Sequence, residues 1–123
     1  MKTCTVVLAA LIALAVASGP LEAAENFQKL NGGQVRAKFA GMELTDGVHW
    51  RDIFERNGTL AGYSMGRKTV GKWSIQKDHL CLDRGNDPGS GCYNVWISGT
   101  SVELRSEGAS LPIEGRLQKP AGQ

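Results

Sequence analysis

The chain has 123 residues, and 14 lysines and arginines against 12 aspartates and glutamates leave a formal net charge of +2. That near balance excludes the dense basic stripe with which a protein neutralises nucleic-acid phosphates. The length allows one domain of ordinary size.

Lys2 supplies a short basic start, and Val6 to Val16 is an unbroken apolar run that ends in small residues at Ala15, Ala17, Ser18 and Gly19. A basic start, a short apolar stretch and small residues after it form the pattern of a secretory signal peptide. The run is well short of the roughly 20 residues of a membrane-spanning helix, and no later segment comes near that length. Residues 1–23 are therefore expected to be a signal, cut after Ala17 or Ala23, which places the rest in the periplasm or outside the cell. Residues 24–118 form the expected β-rich domain, and 119–123 a loose tail.

Cys4 precedes the apolar run and leaves with it, so Cys81 and Cys92 remain. Two cysteines in an oxidising compartment predict one disulfide. A metal site would need two more ligands at short spacing, and a redox site would need Cys-x-x-Cys; the sequence offers neither.

One helix is expected after the signal. Asn31 and Gln34 stand at the spacing of a capping box, Leu30 and Val35 at that of a hydrophobic staple, Val35 and Phe39 share a face, and Gly41 follows as a stop. Gly32 and Gly33 weaken this helix, so it forms by docking.

From Met42 the period becomes strand-like. Val48 to Glu55 and Thr59 to Met65 flank an asparagine-glycine turn at Asn57-Gly58, and Thr69 to Ile75 and His79 to Asp83 flank Lys77-Asp78. Arg84 to Gly91 is a loop of turn-forming residues between the two cysteines. Cys92 to Ile97 and Ser101 to Arg105 follow as strands. Leu111, Ile113 and Leu117 then alternate with polar residues, and Pro112 implies an edge. About seven short strands in hairpin order predict a mainly β fold, an antiparallel meander or small barrel with one N-terminal helix.

The series Thr45-Asp46-Gly47-Val48-His49-Trp50, then Phe54 with Asn57-Gly58-Thr59, Gly71-Lys72-Trp73, Leu80-Cys81 and Cys92, resembles short exported proteins of proteobacteria that carry no assigned activity. Gly71-Lys72-Trp73 before a cysteine also gives a fainter likeness to periplasmic protease inhibitors and to lipocalin-like small β-barrels. These resemblances imply a fold and a compartment rather than an activity.

Catalysis would have to use His49 or His79. Asp46 and Asp52 each stand three residues from His49, and in a strand that separation puts side chains on opposite faces, so neither is expected to pair with His49 unless a turn intervenes. No nucleophile elbow, phosphate loop or zinc motif is present, so no catalytic or metal residue is expected. Asp83, Asn86 and Asp87 are too few for calcium, which takes six or more oxygens, and no cofactor is implied.

The aromatic residues carry the functional expectation. Tyr93 and Trp96 are three apart on one strand, so one of them faces outward. Arg67, Lys68 and Lys72 put positive charge beside Tyr63. These six residues make a candidate surface for an unknown protein, envelope component or small ligand. The function expected is binding without chemistry, with inhibition of a secreted hydrolase as one form of it and a small hydrolase using His49 as the alternative.

Overall fold

The computed structural model describes residues 26–108 and 111–121, with Thr3 and Ile12. Apart from those two residues, the expected signal segment lies outside the described part of the chain.

Strand β1 (Gln28–Lys29) leads into helix α1 (Gly32–Phe39), followed by β2 (Glu43–Thr45), β3 (Trp50–Phe54), β4 (Thr59–Ser64), β5 (Arg67–Gln76), β6 (His79–Asp83), β7 (Gly91–Ser98), β8 (Ser101–Arg105) and β9 (Ile113–Gln118). Each strand from β2 to β9 pairs antiparallel with the next, and β9 returns to pair with β2. The eight strands therefore close into a barrel, which removes exposed sheet edges. The additional strand β1 pairs with β7 through Gln28 opposite Ile97 and Lys29 opposite Trp96.

Side chains of period two fill the interior. Val102 and Leu104 of β8, Val95 of β7, Leu80 of β6 and Leu60 of β4 are essentially fully buried, while their strand neighbours face out. At the centre Phe39, Phe54 and Trp73 stack edge to face, with ring centroids 5.0 and 5.6 Å apart. The Trp73 indole satisfies its N–H on the Glu55 carbonyl at 2.7 Å, as a buried donor must.

Helix α1 plugs one end of the barrel. The capping box is present: Gln34 N–H donates to Asn31 Oδ1, and Asn31 N–H donates to Gln34 Oε1, each at 2.9 Å. Val35 and Phe39 are the buried face of this short helix, and Gly32 N–H donates to Asp78 Oδ1 across to the β5–β6 turn at 2.8 Å. Gly32 owes its place to that docking, because a Cβ there would collide with the Lys77 carbonyl. Its helix propensity is thus set against a tertiary approach that only glycine permits.

Four sequence expectations are corrected. Nine strands replace about seven, because β1 and β2 span two and three residues, too few for a period to register. Strand β3 starts at Trp50 rather than Val48, since Asp46 gathers the preceding residues into a turn. Strand β5 starts at Arg67 rather than Thr69, because Met65 and Gly66, with φ of 53° and 80°, make the two-residue hairpin turn by themselves. Pro112 does not mark an edge: β9 pairs with β2 on one side and β8 on the other, and Pro112 precedes the strand, where no ladder N–H is needed.

Cys81 and Cys92 are directly opposed on β6 and β7, with their sulfur atoms 2.07 Å apart. The bond lies on the outer face and closes the base of the 84–90 loop. Replacing both cysteines with serine is expected to cost about 3 kcal/mol, the chain-entropy value for a loop of this length. Chemical denaturation of oxidised wild type and the double variant checks it; equal midpoints would assign the bond no stabilising role.

Successive hairpins turn at alternate ends of the barrel. The β3–β4, β5–β6 and β7–β8 turns share the plugged end with α1, and the β2–β3, β4–β5, β6–β7 and β8–β9 connections ring the other.

Candidate functional site at the open end of the barrel

Toward the open end the inward-facing positions change from apolar to polar. On β3 the inward residues are Phe54, then Asp52, then Trp50; on β4 they are Leu60, Gly62 and Ser64; on β5 they include Thr69 and Arg67. Asp52 lies opposite Gly62, and Gly62 opposite Thr69. A Cβ on Gly62 would sit 2.6 Å from Thr69 Oγ1 and 3.2 Å from Asp52 Oδ1, so the absent side chain is what lets these polar groups converge.

Arg84, the first residue after β6, folds into this space. Its two terminal nitrogens donate to Asp52 Oδ1 at 2.9 Å and Oδ2 at 2.6 Å, a bidentate pair with side-chain exposures of 16% and 7%. The hydrogen bond to Asp52 raises the basicity of the guanidinium, burial opposes it, and the Asp52 charge adds to it. This pair forms the floor of the open end.

The 84–90 loop is held over the floor by its own hydrogen bonds. Arg84 N–H donates to Ser90 Oγ at 2.8 Å, Gly85 N–H to Asp83 Oδ1 at 3.0 Å, and the Tyr93 hydroxyl to the Gly89 carbonyl at 2.9 Å. Arg67 reaches across from β5 to Asp87 at 3.8 Å. Between floor and rim lies a cavity of about 430 Å³ walled by Trp50, Met65, Pro88 and Ile113, a size typical of small-molecule sites.

Of the six residues expected to form one binding surface, Tyr63 and Lys68 meet as cross-strand partners, but the set as a whole does not come together. Tyr63 faces outward, with the Arg51 guanidinium 4.2 Å and the Lys68 ammonium 5.8 Å from its ring centre. Arg67 points into the mouth, whereas Lys72 faces out near the disulfide. Tyr93 is buried, and Trp96 lies outside beneath Arg105 at 4.2 Å. The parity argument for Tyr93 and Trp96 thus holds, but strand alternation scatters the set around the barrel wall.

The pairing of His49 is also corrected. A turn intervenes: Asp46 Oδ1 accepts the N–H groups of Val48, His49 and Trp50 at 2.9, 2.7 and 3.1 Å, while Oδ2 meets His49 Nδ1 at 2.8 Å. The imidazole is 67% exposed. The Thr45 hydroxyl nearby already donates to the Trp50 carbonyl at 2.6 Å and accepts from Gly47 at 2.9 Å. Asp52, the other aspartate three residues away, is committed to Arg84.

Desolvation pushes the Asp46 carboxyl upward, but the three backbone donors and the His49 ring outweigh it and hold the group well below the usual carboxylate range. A carboxyl more acidic in the folded state stabilises above its unfolded value, near 3.8, and that contribution fades as the pH falls below it. Asp46→Ala is therefore expected to flatten the acid arm of the stability curve below about pH 4. Urea midpoints measured from pH 7 to pH 2 check this; an unchanged acid slope would refute it.

The residues missed in the sequence are Asp52 as part of a floor, Gly62, Thr69 and Arg84. One signal was available: Asp52 is a charge at the inward parity of a strand whose neighbours at that parity are Trp50 and Phe54.

Fold and mouth together define a small eight-stranded antiparallel β-barrel, plugged at one end by a helix and open at the other over a buried ion pair. No protein-family model, curated protein or solved structure matches the chain.

Proposed function

We propose that the protein is a non-enzymatic binding module of the periplasm or extracellular space that takes a small ligand into the open end of its barrel. The observation that carries this reading is the 430 Å³ cavity with apolar walls and a polar floor, the combination by which ligand sites supply both affinity and orientation. The disulfide fits an oxidising compartment.

Inhibition of a secreted hydrolase is a second reading, favoured by a separate observation. Val48, Met65 and Leu111, 83%, 80% and 90% exposed, all sit on loops of the open end. Large exposed apolar side chains on one rim suit a protein partner, as the likeness to periplasmic protease inhibitors would imply.

Amide chemical shifts during titration with a fractionated envelope extract test the first reading. Saturable changes at Trp50, Thr69 and Ile113, abolished by Ser64→Trp, are expected, because the indole would fill the mouth from an exposed position. Changes confined to the loop tips at Val48, Met65 and Leu111 would support the inhibitor reading, and changes confined to the wall around Trp96 would overturn both.

A further inference from the structure

We infer that the ligand of the open end is a neutral sugar, an uncharged ring bearing hydroxyl or acetamido groups; this rests on the reading of the mouth as a ligand site. The inference starts from the charge of the cavity. Its lining includes two arginines and two aspartates, coupled as Arg84 with Asp52 and Arg67 with Asp87. An anion approaching the floor would gain Arg84 and meet Asp52 at hydrogen-bond distance from it, and a cation would meet the reverse. Neither sign is favoured.

The same pair suits groups that both donate and accept. Each Asp52 oxygen accepts one hydrogen bond from Arg84 and keeps a further lone pair, while the guanidinium uses two of its five N–H groups in that pair. A sugar hydroxyl, donor and acceptor at once, can bridge the two. The Ser64 and Thr69 hydroxyls line the same cavity and enter no hydrogen bond among the described residues, so they add two more groups of that dual kind.

The walls supply the other half of the match. Trp50 and Ile113 stand at the inward positions above the floor. A pyranose has an apolar C–H face that packs on an indole and a polar edge that seeks hydrogen bonds. A single-chain lipid fits less well: its tail would have to lie on an ion pair and two hydroxyls left without a partner, which costs desolvation with no return.

The test is titration of the full chain with chitobiose, maltose, dodecanoate and inorganic phosphate, read by amide and indole chemical shifts. One of the two sugars is expected to give saturable changes at the Trp50 indole and at Gly62, Thr69 and Arg84. Thr69→Val, which keeps the volume and removes the hydroxyl, is expected to weaken that binding about fivefold, the worth of one neutral hydrogen bond. Saturation of those signals by dodecanoate or phosphate instead would overturn the sugar assignment while leaving the mouth as a ligand site. Silence of both sugars at millimolar concentration would also overturn it, and the extract titration with Ser64→Trp would then decide separately whether the mouth binds anything. Equal sugar affinity in wild type and Thr69→Val would remove the hydroxyl from the site and overturn the floor argument.

Discussion

Phe54→Ala is expected to lower the free energy of unfolding by about 3–5 kcal/mol, a large share of the total of about 5–15 kcal/mol of a domain. The side chain is fully buried, and its ring is the middle member of the Phe39–Phe54–Trp73 stack. Its removal takes an aromatic contact from both the helix plug and the β5 wall, and three elements cannot all move inward to fill the space. A conservative control, Phe54→Leu, should recover a large part of the loss because most of the volume returns. Urea denaturation of the three proteins measures both effects. A loss under 1 kcal/mol for the alanine variant would show that the plug end repacks freely.

The second large effect is expected from Arg84→Ala, about 3 kcal/mol, because it leaves the Asp52 carboxylate almost buried with no cation. The loss belongs chiefly to the abandoned charge rather than to the bond itself. Asp52→Leu combined with Arg84→Met should therefore regain most of the stability, since well-packed apolar groups often replace a buried ion pair at little cost. A double-mutant cycle checks this, and two losses that simply add would show that the charges act independently. The regained stability should not restore sugar binding, because the apolar double variant has no floor on which hydroxyls can bond.

How much of this was legible in the sequence depended on how local each feature is. The capping box of Asn31 and Gln34, the His79 to Asp83 strand and the Ser101 to Arg105 alternation involve residues within a few positions of one another, and each stands where the residue pattern put it. The hairpins at Gly58 and at Lys77-Asp78 are equally local. Barrel closure is not, because it depends on three residues of β2 finding β9. The floor was hidden for the same reason. Asp52 and Arg84 are 32 positions apart, and Arg84 reads as an ordinary loop residue until the loop is seen to fold over the mouth. His49 shows the opposite case: its partner was only three residues away, but strand geometry was assumed where Asp46 builds a turn.

The seam between β2 and β9 has a kinetic consequence. Every other pairing in the barrel joins strands that are neighbours in sequence, so the corresponding hairpins close short loops. The seam brings Glu43 beside Gln118, 75 positions away, where the buried Glu43 carboxylate accepts hydrogen bonds from the Gln118 amide at 2.8 Å and from Arg51 at 3.2 Å. Loop-closure entropy for that contact is met most cheaply once the intervening hairpins have already shortened the path. The order of folding expected from this is a meander first and a cylinder last, with Glu43 as the latch that fastens it, and Glu43→Ala should then speed unfolding more than it slows folding in stopped-flow denaturation.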